Sequence, residues 1–163
     1  MATIDLATLA GTTAPSRWSG GVRTPYMVEV TVDLADAITA KGSALAQGDV
    51  IQVIDLPSDV LILGGGVEVI TAMTGTSTDA TIDIGITGGN VDVLVDGLDL
   101  DAASAGDYSV NGVQIGSLVT AADTIDILIA TQTGTITGGS LRVFALCLDV
   151  SAKNAPGLAA LGS

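Results

Sequence analysis

Histidine is absent from this chain, cysteine occurs once (Cys147) and glutamate twice (Glu29, Glu68) in 163 residues. Acid–base chemistry near neutral pH usually rests on a group titrating near 7, and histidine is the common one. Without it the usual routes to an activated serine or cysteine are closed. A single cysteine cannot form a disulfide within the chain, and in an apolar strand Cys147 reads as a small buried hydrophobe. Aromatic residues number four, Trp18, Tyr26, Tyr108 and Phe144, so the core has to be aliphatic. Positive charge is equally scarce. Arg17, Arg23, Lys41, Arg142 and Lys153 stand against 18 acidic residues, for a net charge of −13. Such a field repels phosphate backbones and anionic lipid, and no basic stripe offsets it; neither nucleic acid nor a membrane surface is expected as a partner. There is no run of about 18 apolar residues to span a bilayer. The opening MATIDLATLAGTTAPS has neither a basic start nor a long apolar stretch, so it does not read as a secretory signal, and a cytosol-like site of synthesis is expected.

What the chain does contain is valine, isoleucine, leucine, threonine, alanine, glycine and aspartate. At 48% hydrophobic residues it is too apolar for disorder, and its length fits about one domain that buries roughly 70% of its unfolded surface. β-branched side chains favour a pleated surface over a helix.

Three regions are expected. Residues 1–25 hold Pro15, Gly20-Gly21, Pro25, two cations and the only tryptophan, with no sustained period of two or 3.6 residues, and read as an extended arm. Arg17, Trp18, Arg23 and the adjoining Tyr26 are the candidate interface residues, because tryptophan and arginine dominate interface energetics. The alternative is that Trp18 merely covers one end of the core. Residues 26–150 read as the β-sandwich domain, and 151–163, with Pro156 and Gly157, as a flexible tail.

Within the middle region Tyr26, Val28, Val30 and Val32 alternate with Met27, Glu29, Thr31 and Asp33, the period of a half-buried strand. Residues 35–48 read as a connection with a helical turn at 35–39. Strands are expected at 49–56, ended by Pro57, at 60–71 with a bend at Gly64-Gly65-Gly66, at 81–86, and at 91–95 after a turn at Gly88-Gly89-Asn90. A loop at 96–107 follows. One or two short strands at 108–119 are then interrupted by Asn111-Gly112, a tight hairpin signal. Residues 124–131 are nearly all apolar after Asp126, as in a strand covered on both faces, and the last strand is 141–150. The whole is all-β, a jelly-roll-like sandwich with an extended N-terminal arm. A β-helix is the rival, weakened by the lack of a fixed repeat.

No catalytic constellation stands out. The aspartates at 92, 96, 99, 101 and 107 are dense enough to consider calcium, but their spacing lacks the glycine and closing glutamate of an EF-hand loop. They read as a solvated, turn-forming loop, and no metal or cofactor is expected. Sixteen aspartates offer many carboxylate pairs, yet nothing selects one, and a glycosidase would want aromatic platforms. There is no G-x-S-x-G, and no Gly-Lys-Ser/Thr follows the glycine triplet.

The runs GDVIQVIDLPSDVLILGGGVEVITAMTG, STDATIDIGITGG and VDVLVDGLDLDAASAGD resemble small structural proteins encoded beside the major capsid protein of tailed bacteriophages. The likeness covers about residues 26–150; it lies in Gly48–Leu56, Gly85–Gly89 and Asp96–Gly106 and departs at Asp55-Leu56-Pro57, where an extra residue precedes the proline. It implies a capsid decoration, or cement, protein. Such a protein is a non-enzymatic β-sandwich, often trimeric, made in the host cytoplasm and bound on the capsid exterior to the major capsid protein. The alternative is a tail, fibre or adhesin module that binds a glycan or a host protein.

Overall fold

The computed structural model describes residues 3–5, 18–19, 22–86, 88–110 and 116–151. The strands are β1 (Thr3–Asp5), β2 (Trp18–Ser19), β3 (Val22–Arg23), β4 (Tyr26–Asp33), β5 (Val50–Leu56), β6 (Val60–Gly75), β7 (Asp79–Gly85), β8 (Val95–Asp99), β9 (Tyr108–Ser109), β10 (Ser117–Val119), β11 (Asp123–Thr133) and β12 (Ile136–Asp149). Among the described residues one helix, α1 (Leu34–Lys41), lies between β4 and β5.

Two sheets carry the fold, in the orders β1-β5-β11-β7-β8 and β10-β6-β12-β4, with β9 also on β6. Every pairing is antiparallel except β1 on β5. β9 and β10 lie in succession along one edge of β6, opposite Val67–Glu68 and Val60–Ile62 respectively, and together fill one strand position. With β4 counted first, the eight positions run 1-8-3-6 in one sheet and 2-7-4-5 in the other. That is the double Greek key of a jelly roll, as the strand pattern and long crossings predict.

The core between the sheets is aliphatic. Ile51, Ile54, Ile82, Ile84, Ile125, Ile127 and Ile129 from the first sheet meet Val28, Val32, Ile62, Val67, Val69, Leu141, Val143 and Ala145 from the second, all buried. Tyr26 and Cys147, cross-strand partners on β4 and β12, close one side of it.

The helix is longer than the single turn expected. Its first turn is capped by Asp33, whose Oδ1 accepts from the Ala35 N–H at 2.8 Å. It ends at Gly42, whose φ of 75° is the left-handed cap that glycine supplies without strain. Lys41 at its C-terminus pairs with the buried Asp49 just before β5 and donates to the Ala44 carbonyl, so the connection folds back on itself.

Several expectations change. Residues 91–94 form turns, and the strand there starts only at Val95, so the acidic loop begins with β8. The alternation in VDVLVDGLDL is the same in either frame, and the pairing of Ile84 with Val95 and Ile82 with Leu98 selects the later one. β9 and β10 both pair with β6, and the tight turn expected at Asn111-Gly112 lies outside the described residues. β6 does not turn away at its glycines. It continues through them as one strand of 16 residues, with a bulge at Leu63 where Leu146 pairs with Gly64 and Cys147 with Ile62, and further register shifts toward its C-terminal end. Within the supposed arm, Thr3–Asp5 pairs parallel with β5 and Trp18–Ser19 pairs with Val22–Arg23. Strands of two or three residues are too short for periodicity to reveal. The tail beyond Ser151 lies outside the described residues.

Candidate functional site

The outward surfaces of the two sheets differ in kind. On the first sheet the register sends Asp55, Asp79, Asp83 and Asp99 outward beside Gln52, Thr81 and Thr124, while Asp126 on the same side is buried and accepts from the Thr124 hydroxyl. On the second, the outward positions fall into cross-strand rows. Thr31, Arg142, Glu68 and Tyr108 form the first row across β4, β12, β6 and β9. Glu29, Phe144 and Gly66 form the next, then Met27, Leu146 and Gly64, then Leu148, Leu61 and Leu118. The face is thus polar at one end, mixed at Glu29 and Phe144, and aliphatic along the rest.

Every large hydrophobic side chain that is exposed among the described residues belongs to this second sheet or the residue next to it: Met27, Ile70, Tyr108, Val110, Leu118 and Leu146, from 38% to 61% exposed. Together they open on the order of 600 Å² of apolar surface, at the upper end of the largest patch on a typical monomer.

Glycines shape the surface. A Cβ on Gly65 would sit 2.4 Å from the Phe144 carbonyl oxygen, so close strand approach demands glycine there. A Cβ on Gly66 would meet Val110 Cγ1 at 2.4 Å, because Val110 folds over it. Gly64 has nothing within 4 Å of its Cβ position and leaves an open notch beside Leu146.

The polar row is self-satisfied. Arg142 is ion-paired with Glu68. A hydrogen bond that the guanidinium donates to the Tyr108 hydroxyl oxygen, together with the charges of Glu68 and Glu29, raises the Arg142 pKa. The Tyr26 hydroxyl is pushed up to about 12 by burial first and then by the negative charges of Cys147 and Asp149. Burial likewise raises the Cys147 thiol to about 11, which keeps it a neutral, inert side chain at ordinary pH.

Of the residues singled out in sequence, Arg17 lies outside the described residues. Trp18 and Arg23 are described as backbone only and are cross-strand partners in β2 and β3. Tyr26 is 8% exposed and part of the core. The acidic segment is occupied with its own backbone: Asp99 Oδ1 accepts from the Asp101 and Ala102 N–H groups, Asp101 Oδ2 from Ala80, and Asp107 Oδ2 from Ser104, at 2.6 to 3.2 Å. Among the described residues no three carboxylates or thiols converge on a point that would suit a metal.

The apolar face escaped the reading of single residues, yet its signal is present. Leu141–Leu148 (LRVFALCL) is apolar at nearly every position, the pattern of a strand covered on both sides. In this chain β12 is covered by the core on one side only.

No family model matches the sequence, and no curated protein does. Two solved structures match the fold along most of both chains. One is in the cyanophage Pam1 capsid asymmetric unit, with a TM-score of 0.58 and 18% identity over 84% of this chain and 93% of the other. The second is in the capsid of Ralstonia phage GP4, with a TM-score of 0.56 and 15% identity over 93% of this chain and 100% of the other. The jelly roll built by this sequence is a fold that phage capsids contain.

Proposed function

We propose that this chain is a non-enzymatic structural protein of a phage virion, of the decoration or cement kind. It binds the major capsid protein on the outside of the shell as a homo-oligomer, a trimer being favoured. The observation that carries this reading is the fold shared, nearly end to end, with chains in two phage capsids. Three features support it. The residue inventory has no histidine to run acid–base chemistry. The sandwich has one face suited to contact and one suited to water. The −13 charge keeps assemblies soluble and repels nucleic acid.

In this reading residues 1–25 supply a second contact, with Trp18 as an anchor on a neighbouring subunit or on the shell and Arg17 and Arg23 paired to carboxylates. A tryptophan anchor is worth about 2 kcal/mol or more on truncation, so Trp18→Ala is expected to weaken capsid binding roughly thirtyfold while leaving the sandwich folded. An unchanged affinity removes the anchor role, and a variant that cannot fold assigns Trp18 to the core. The decisive experiment mixes purified protein with capsids that lack it and images them by cryo-electron microscopy. Regular density on the outer surface is expected. Failure to bind, or binding to host cells or glycans instead, overturns the reading in favour of a tail, fibre or adhesin role.

A further inference from the structure

We infer that copies of this chain associate through the outer face of the β10-β6-β12-β4 sheet, the apolar faces turned toward a shared axis. The occupant of that face is a second copy of the same chain.

Three observations lead there. The first is area. The exposed apolar side chains open on the order of 600 Å², about three-quarters of the roughly 800 Å² that each partner gives a standard interface, before any flanking polar surface is counted. The second is charge. With 18 acidic residues against five cations, two copies repel one another over most orientations. The outward aspartates of the first sheet make that side repulsive, whereas on the second sheet Glu68 is paired with Arg142, whose charge also acts on Glu29 in the next row, and the rows beyond hold Met27, Leu146, Leu61 and Leu118. Two copies therefore meet with least repulsion through this face. The third is relief. The notch over Gly64 lies in the same row as Leu146 and Met27, so one face offers both knobs and a recess for a like surface. The near-continuous apolar run of β12 fits a strand that is covered on both sides once the copies join.

The test is read on purified protein alone, so its outcome is separate from that of the capsid experiment. Sedimentation velocity over a range of concentrations is expected to show a discrete oligomer for the full chain. Leu118→Lys combined with Leu146→Lys, both on exposed positions, is expected to weaken association at least a hundredfold and yield monomer. Asp96→Lys on the other sheet leaves the oligomer intact. The milder pair Met27→Ala and Leu118→Ala, expected to weaken association about tenfold with an unchanged melting curve, covers the case in which the lysine variant does not fold. A full chain that stays monomeric at all concentrations overturns the inference. So does an oligomer that both face variants leave unchanged, which would place the contact at another surface. A monomer whose face variants lose capsid binding also overturns it and hands the face to the capsid.

Discussion

Tyr26 and Cys147 sit opposite each other on neighbouring strands, both inside the core and both harder to ionise than in water. Each has a folded-state pKa above its ordinary value, about 12 against 10.0 for the phenol and about 11 against 9.0 for the thiol. The stability tied to keeping them neutral is therefore complete below the unfolded values and is lost as pH rises through the folded ones. Denaturant melts from pH 8 to 12 are expected to show stability falling from about pH 9 onward, and less steeply in Tyr26→Phe and Cys147→Ala. A flat profile would assign the two groups no part in alkaline stability. Gly65 makes a second point at this scale. Any side chain there is driven into the backbone of β12, so Gly65→Ala is expected to cost about 1–3 kcal/mol by overpacking, measurable as a lower urea midpoint. The glycine triplet announced something special in the sequence, but it allowed a bulge, a bend or a close approach. Two of these turned out to apply, the bulge at Leu63 and the close approach at Gly65. Choosing between such outcomes requires knowing which strand lies alongside, and that is information from residues about 80 positions away.

The clearest test among the elements is the α1 connection, where the helix begins on Asp33 and ends on the Lys41–Asp49 pair. Asp33→Ala removes an N-cap and is expected to lower stability by about 1 kcal/mol. Lys41→Ala takes the ammonium from a carboxylate that is almost fully buried, and about 3 kcal/mol is expected. Equilibrium urea unfolding separates the two, and equal small losses would show the ion pair to be no stronger than a surface one. Element by element, the long strands were legible because their burial alternates. β4 follows the predicted inward and outward sets residue for residue, and β11 carries the consecutive buried positions of a central strand. Short strands were not legible: β1, β2, β3 and β9 hold two or three residues each, less than two periods. β9 and β10 are both held by β6, a pairing between distant residues that local turn chemistry does not announce.

For the whole molecule, the all-β class and the jelly roll followed from composition and strand count, whereas the candidate face did not. Single outward leucines are unremarkable in a sequence, and only the register assembles Met27, Leu146, Leu61 and Leu118 into adjoining rows. If that face is buried between copies, dilution should lower the melting temperature, because association stabilises the folded chain by mass action; a melting temperature independent of concentration would count against it. The order of strands has a further consequence, for how the protein comes into being. Among the described strands β11 and β12 come last, yet each lies inside its sheet, β11 between β5 and β7 and β12 between β6 and β4. As a ribosome releases this chain, β4 has no partner in its sheet before β12 emerges, and β5 and β7 are joined only by β11. Neither sheet can close until both of these strands have emerged. The chain then folds in one late step, in which β11 and β12 slot into place and seal both halves of the sandwich together.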